Sequence, residues 1–598
     1  MVADPAWLSE LSGERAWAHI RHVAEQIPSR LAGSANCERM AAYALSELQA
    51  AGVDAVRTEY PGLVSFPGPA QLRSLSPEER AIPANAMGHS VPTLPEGIEG
   101  ELVYVGSGGE ADYAGKDVRG KVTLSELSYA PARHEKQRLA GPRGSIAQVM
   151  MNWGADDNPV LPYGSVKPCW GNPTPETMRT EMPTIPCLGI ARTAGQHLKR
   201  LCERGPVRVW LRAECENGWR TLQQTIGRIP GTDGTGDFVI MGGHMDSWPG
   251  PQATDNAAGS ACFLEIARVF AAHREALRRG ITLGFWVGHE TGTMVGSSWF
   301  VDRFWDDLRA HAVAYLQVDQ PAMTGTSRWI TPSNPELKRF HQRVERAVLG
   351  GMPVAWHHLG KTGDTSFFGI GIPTLAPRMG FTEEEIKATA RATLGWWHHS
   401  DANTLDKVDP KLLAIHLQVY ARYLWELCTA PILPMEFVTV AGQFRKRLAD
   451  LAALPGLPGG LDLAVVVRRA EALGAAAACL DGAAEAWRRR YADGSVKDPE
   501  PQTLLNACLM RLSRLLIPMA STAVGTYGHD PYGLSAQAEM IPGLVPLREF
   551  ATLVPGNEAC TLLETKMRRE RNRVADTLGE AVAAIESTLA RVGAKREI

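Results

Sequence analysis

The chain has 598 residues, with 62 Lys or Arg against 65 Asp or Glu, which leaves a formal net charge of −3. That length exceeds what one hydrophobic core usually supports and predicts two to four domains. Neither charge sign forms a long run, so nothing in the electrostatics calls for nucleic acid or an acidic membrane, and the expected partner is a small or modest molecule.

The opening stretch MVADPAWLSELSGERAW carries charges where a secretory signal needs an apolar run. No window approaches the roughly 20 apolar residues of a membrane span. The chain is therefore expected to be cytoplasmic. Its ten cysteines are scattered without a CxxC pair and suggest neither a disulfide framework nor a thiolate metal site.

From Trp7 to Gly52 the apolar spacing predicts two amphipathic helices around a Pro-Ser-Arg-Leu-Ala-Gly-Ser loop. From about residue 60 to 215, short apolar runs (ELVYVG, GKVTL, AQVMMN, VRVWLRA) alternate with Gly- and Pro-rich turns, as in a strand-rich insertion. Between about 222 and 430, strand-like runs (DFVIMGGH, ITLGFWVG, HAVAYLQVD) alternate with helix-like ones, which predicts βα units and a mainly parallel sheet. Chemistry in such sheets sits at the carboxyl ends of strands. The region after 430 is rich in Ala, Leu and Arg with helical spacing.

The stretch GGHMDSWPGPQATDNAAGSA (242–261) places His244 and Asp246 at a strand end and Asp255 near the start of a helix. Imidazole nitrogen and carboxylate oxygen are what a divalent metal takes there, and one carboxylate can bridge two ions. Asp246 is placed to accept the second N–H of His244 and fix its tautomer. Taken singly, each of these residues reads more simply as a helix cap or a strand-end histidine; as a set they point to metal. FWVGHETGTMVGSSWF (285–300) adds His289 and Glu290, YLQVDQ adds Asp319, and GWWHHSDANTLDKVD adds His398 and His399 before a helix starting near Pro410.

In order and spacing, GGHMDSW, TDNAAG, the HETG turn with GSSWF, QVD and HHSDANTLDKVD resemble the motifs of dinuclear zinc peptidases, peptidase family M28. That family includes bacterial aminopeptidases, glutamate carboxypeptidase and the transferrin receptor. The resemblance implies a phosphorylase/hydrolase-like α/β catalytic domain from residues 1–60 and 216–430, with a mainly parallel sheet and flanking helices. It implies a β-rich protease-associated domain at 61–215, carried by LVYVGSGGEADYAGKDVRGKV and IPCLGI. A helical dimerisation domain at 431–598, carried by ILPMEFVTVAGQFRKRLADLA and YGHDPYGLSAQAEMIPGL, would make the chain a homodimer. It assigns His244 and Asp319 to one zinc, Glu290 and His399 to the other, Asp255 as the bridge, and Asp246 as the residue that orients His244. Two such ions activate water and polarise the carbonyl of a peptide or other amide bond in a small substrate.

The family carries two consecutive glutamates in the strand-end turn, the first acting as base; here that place is His289. Histidine can serve as the base near neutral pH, or can bind metal and change the ion or the reaction. A lyase, a specialised small-molecule hydrolase and a silent binding protein therefore stand beside the hydrolase reading. In the glutamate-cleaving relatives a lysine and a tyrosine receive the acidic product residue; the matching stretch is His529-Asp530-Pro531-Tyr532, with proline where the lysine stands. Preference for a C-terminal glutamate is not expected. His398, Asp364, His529 and Tyr532 are the candidate pocket residues, and Trp396, Trp397, Phe367 and Phe368 are candidates for an aromatic wall.

Overall fold

The computed structural model describes residues 4–127, 129–534 and 539–593. The first three residues of the opening stretch and residues 535–538 of the YGHDPYGLSAQAEMIPGL stretch lie outside the described residues. The two N-terminal helices are Gly13–Gln26 and Ala35–Ala50. Each begins at a serine whose hydroxyl accepts a main-chain N–H from the first turn, Ser12 from Arg15 and Ser34 from Cys37. Their buried faces, Ile20 and Val23 on one and Met40, Ala44 and Leu48 on the other, recur at three and four, as an amphipathic helix requires.

Two strands of 23 residues each, Asp54–Ser76 and Val207–Ile229, organise everything between. They pair antiparallel along nearly their whole length, from Asp54 opposite Arg228 to Ser76 opposite Arg208. At one end they join Arg80–Ala86, Cys187–Ile190, Ala147–Met151, Val122–Glu126 and Ile98–Tyr104 in that order, so that seven strands close on themselves. Leu72, Ile82, Leu102, Leu124, Val149, Leu188 and Val209 fill the inside as a separate apolar core.

At the other end, Thr225–Ile229 of the second long strand pairs antiparallel with Gly280–Trp286. That strand runs parallel to Phe238–His244, which in turn runs parallel to Ala312–Gln317, and this one to Thr374–Leu375. The strand Arg328–Ser333 then pairs antiparallel with Thr374–Leu375 and parallel with Val354–His358. The central strands are thus mainly parallel, as the βα alternation predicted, with antiparallel pairing where the long return strand Val207–Ile229 meets Gly280–Trp286 and where Arg328–Ser333 joins the sheet. The three central strands are buried at every position, as parallel strands covered on both faces must be.

After Pro410–Thr429, whose first turn is capped by the Asp409 carboxylate, come the helices Val438–Ala452, Ala464–Ala492, Glu500–Ser521 and Glu558–Gly593. Their inner faces (Leu448, Leu473, Leu480, Leu512, Leu578) are continuous with the core under the central strands. Glu500–Ser521 is long and apolar enough to cross a membrane by composition, contrary to the reading of the sequence, but 72% of its most apolar window is buried inside the protein.

Gly243, in the strand Phe238–His244, allows the close approach of the neighbouring segment: a Cβ there would stand 2.2 Å from the Val318 carbonyl oxygen. Gly243→Ala is expected to destabilise the fold by about 1–3 kcal/mol, as overpacking does. A urea melt checks this, and an unchanged midpoint would contradict the close approach.

Candidate metal centre

His244 ends the strand Phe238–His244, Glu290 follows Gly280–Trp286, and Asp319 follows Ala312–Gln317, so three adjacent strands deliver one side chain each to the same end of the sheet. Asp255 enters from the turn 253–257 before helix Ala258–Ala272. It does not cap that helix: its backbone is non-helical, and Asn256 accepts the Gly259 N–H instead. His399 comes from the loop before Pro410–Thr429, with φ at +55°.

These five side chains converge. His244 Nε2 lies 3.1 Å from Asp255 Oδ1 and 3.4 Å from Asp319 Oδ1. His399 Nε2 lies 3.3 Å from Asp255 Oδ2 and 3.1 Å from Glu290 Oε1. The two oxygens of Asp255 thus face two separate groups, the arrangement a bridging carboxylate needs. Although close, His244 Nε2, Asp255 Oδ2, Glu290 Oε1 and Asp319 Oδ1 are buried with no aligned hydrogen-bond partner. Such orphaned atoms are costly, and here they lie together, His244 Nε2 against Asp319 Oδ1, and Asp255 Oδ2 and Glu290 Oε1 both against His399 Nε2. Neutral nitrogen and carboxylate oxygen at this spacing fit a divalent ion.

The electrostatics agree. Burial and the neighbouring Asp255 carboxylate push the Glu290 carboxyl well above the usual range, so the protein alone does not hold these acids charged together. Burial, helped by His398, keeps His399 well below the ordinary imidazole value, and so neutral as a ligand must be. Burial opposes charge on His244 and Asp255 too, but their mutual contact wins, raising the histidine and lowering the aspartate.

A second set of residues holds the first. His244 Nδ1–H donates to the main-chain carbonyl of Asp246 at 2.9 Å, leaving Nε2 for the centre. The Asp246 carboxylate was expected in that role, but it lies 4.0 Å away. It accepts instead the main-chain N–H groups of His289 and Glu290 at 3.2 and 3.1 Å, because the tight HETG turn offers two donors to it. Trp248 Nε1–H donates to Glu290 Oε2 at 2.7 Å and turns Oε1 toward His399. Arg30, fully buried, donates to the carbonyls of Met245, Pro251 and Gln252 and so fixes the loop between His244 and Asp255.

Of the other residues singled out in the sequence, His289 stacks on His244 with ring centroids 3.9 Å apart, and its Nδ1 lies 3.0 Å from Asp364 Oδ2. Asp364 was expected to line the substrate pocket; it is 1% exposed and sits behind His289, where the imidazole and Ser297 compensate its burial. His398 lines the cavity, but its Nδ1 faces Asp255 Oδ2 at 3.1 Å and Gln320 Nε2 at 2.9 Å. Tyr532 does line the cavity, its hydroxyl 3.3 Å from Thr362 Oγ1. His529 does not. The buried Asp530 accepts the N–H groups of Ala523 and Val524, and this turn sends His529 toward Asp302 at 3.8 Å.

The aromatic wall is also corrected. Phe367 packs on Trp286 and Tyr315, Phe368 joins Leu359 and Ile517, and Trp397 packs on Phe381 and Trp396; none of them lines the cavity, because apolar faces find the core first. Arg133 and His134, from the strand-rich region, line it instead, and Arg133 Nε–H donates to the Ser165 carbonyl at 2.8 Å. The cavity measures about 80 Å³. A larger cleft of about 530 Å³ opens at the amino-terminal ends of the same strands, beside Asp237, Arg279 and His311, away from all these groups.

Asn256 went unassigned in the sequence, yet all its amide hydrogen bonds are used. Nδ2 donates to the carbonyls of His244 and Val318, and Oδ1 accepts from the N–H of Gly259 and of Gln320. It thereby ties the segments that carry His244, Asp255 and Asp319. Asn256→Ala is expected to weaken metal affinity by about 10–100-fold, as loss of a supporting hydrogen bond does. Competition with a coloured chelator measures this, and wild-type affinity would contradict the tie.

Residues 224–424 match the model of "Peptidase family M28". A probable glutamate carboxypeptidase of Zea mays is 26% identical over 502 residues, covering 71% of this chain and 68% of its own. Carboxypeptidase Q of Bos taurus is 22% identical over 421 residues, covering 68% and 84%. Among solved structures, a peptidase M28 precursor from Shewanella amazonensis superposes with a TM-score of 0.58 at 18% identity, covering 71% of this chain and 96% of that one. A zinc aminopeptidase from Bacillus subtilis does so at 0.54 and 20%, covering 70% and 95%. These two likenesses concern the fold. The match to peptidase family M28 thus rests on residues 224–424, the part of the chain that carries the central strands and the five convergent side chains, and it supports a metallohydrolase acting on peptide bonds.

Proposed function

We propose that the chain hydrolyses a peptide or other amide bond of a small substrate with two zinc ions, using His289 as the base. The observation that carries this reading is the set of orphaned atoms His244 Nε2, Asp255 Oδ2, Glu290 Oε1 and Asp319 Oδ1, gathered in one buried pocket with His399. In it, His244 and Asp319 would hold one ion, Glu290 and His399 the other, and Asp255 would serve both. When bound, the ions supply Lewis acidity to the substrate carbonyl and lower the pKa of water.

The chain's own groups supply the rest. His289 takes a proton from the attacking water as the C–O bond forms, and gives it to the leaving nitrogen as the C–N bond breaks. Asp246 holds the turn that carries both His289 and Glu290. Arg133, with Tyr532 and Thr362 across the cavity, offers a cation to a substrate carboxylate, which supports a short peptide with a free C-terminus. The relatives named for carboxypeptidase activity lend this support. Proline at 531 argues against glutamate in particular. The seven-stranded module with its own core supports reading 61–215 as a protease-associated domain. Residues 431–598 are read as a dimerisation domain.

Asp255→Ala is expected to take the chain from two ions to none, by elemental analysis, and to abolish hydrolysis of a dipeptide and acyl-amino-acid panel. Retention of both ions would overturn the bridge. His289→Ala is expected to keep the ions and lose on the order of 10²–10⁴-fold in rate; near-normal turnover would return His289 to a bystander.

A further inference from the structure

Behind His289 a buried chain of hydrogen bonds runs away from the centre. His289 Nδ1 lies 3.0 Å from Asp364 Oδ2, and Asp364 Oδ1 lies 2.8 Å from Ser297 Oγ. Ser297 Oγ lies 2.8 Å from Ser366 Oγ, which lies 2.8 Å from Trp170 Nε1. All four partners of His289 in this chain are at most 3% exposed. Trp170 belongs to the strand-rich region, and the other members to the metal-binding one.

The two ends together set the direction of every bond, because the Asp364 carboxylate can only accept and so takes the Ser297 proton. An indole N–H can only donate, so Ser366 Oγ accepts from Trp170. The Ser366 hydroxyl proton is then free for Ser297 Oγ, and the Ser297 proton for Asp364 Oδ1. Asp364 Oδ2 is left to accept from Nδ1–H of His289. The tautomer that results carries its lone pair on Nε2, the nitrogen on the far side of the ring from Asp364.

We propose that Asp364 is a positioning residue for the hydrolysis, holding His289 in the Nε2-basic tautomer through a bond polarised by Ser297, Ser366 and Trp170. This rests on the reading of His289 as the base. A glutamate in that place, as the family motif has it, needs no such partner, since a carboxylate has no tautomer to fix. It would instead bring a second carboxylate, a like charge, into the buried setting of Asp364. Asp364 is thus matched to histidine at 289 and mismatched to glutamate.

That mismatch gives a test in which the effect of one substitution changes sign. Four proteins are compared with zinc loaded: wild type, Asp364→Asn, His289→Glu, and the double variant. The introduced asparagine can present its amide N–H to Nδ1 and select the wrong tautomer, so Asp364→Asn alone is expected to lose on the order of 10²-fold or more in kcat with KM and zinc content retained. In the His289→Glu background the same change removes the repulsion and is expected to raise kcat by about tenfold or more, since 1.4 kcal/mol of relief is a factor of ten. A purely structural Asp364 lowers activity in both backgrounds, and that result overturns the proposal. Ser297→Ala, which keeps the Asp364 carboxylate, is expected to fall between wild type and Asp364→Asn.

A readout independent of turnover uses metal-free protein with nitrogen-15 histidine. The Nδ1–H resonance that disappears in His289→Ala is expected to be present in wild type and absent in Asp364→Asn; its persistence there overturns the proposal. If His289→Ala keeps normal turnover, the base reading fails. If His289→Ala is slow while Asp364→Asn is normal, the base reading stands and the positioning role alone is lost.

Discussion

Asp255 and Glu290, two carboxylates buried in the same pocket, have only imidazoles between them, and the surrounding structure is arranged to hold that unfavourable pair in place. Left to itself the protein relieves the strain by pushing the Glu290 carboxyl well above its ordinary range, through burial and the Asp255 charge. A divalent cation held by these residues would relieve it better, because the carboxylates would then face a positive charge at short range. The cost of keeping these oxygens unpaired in the folded chain is thus stored for metal binding.

The supports around the pair are polar and nearly all buried, which makes them rigid. Asn256 joins three segments with its one amide, Arg30 ties the loop 245–252, Asp246 fixes the HETG turn, and Trp248 aims Glu290. Each acts on the main chain or on a ligand's second atom, leaving the first atom pointing inward. The two 23-residue strands add a larger constraint. Because they belong both to the closed seven-stranded module and to the central sheet, they fix Arg133, His134 and Trp170 relative to the metal-binding strands.

What could be read from the sequence was whatever had a local signature. The helices up to Gly52, the apolar central strands and the five convergent residues His244, Asp255, Glu290, Asp319 and His399 announce themselves by period or by position at a strand end. Partners chosen by folding had no such signature. Arg30 reads as an ordinary loop arginine until its burial is seen, and Asn256 is one residue from Asp255 yet works through main-chain contacts to the distant His244, Val318 and Gln320. The direction of the long return strand could not be read either, since antiparallel pairing with Gly280–Trp286 depends on where the seven-stranded module returns the chain. Asp364 and the aromatics Phe367 and Phe368 were misplaced for one reason: a short polar-aromatic stretch gives no sign of which side chains face the cavity and which the core.

The central claim is that two ions sit on either side of Asp255, and anomalous diffraction at the zinc edge from a zinc-soaked crystal tests it most directly. The account predicts two peaks, one between His244 and Asp319 and one between Glu290 and His399, with an Asp255 oxygen toward each. A single peak away from Asp255, or none in this pocket at saturating zinc, would contradict it.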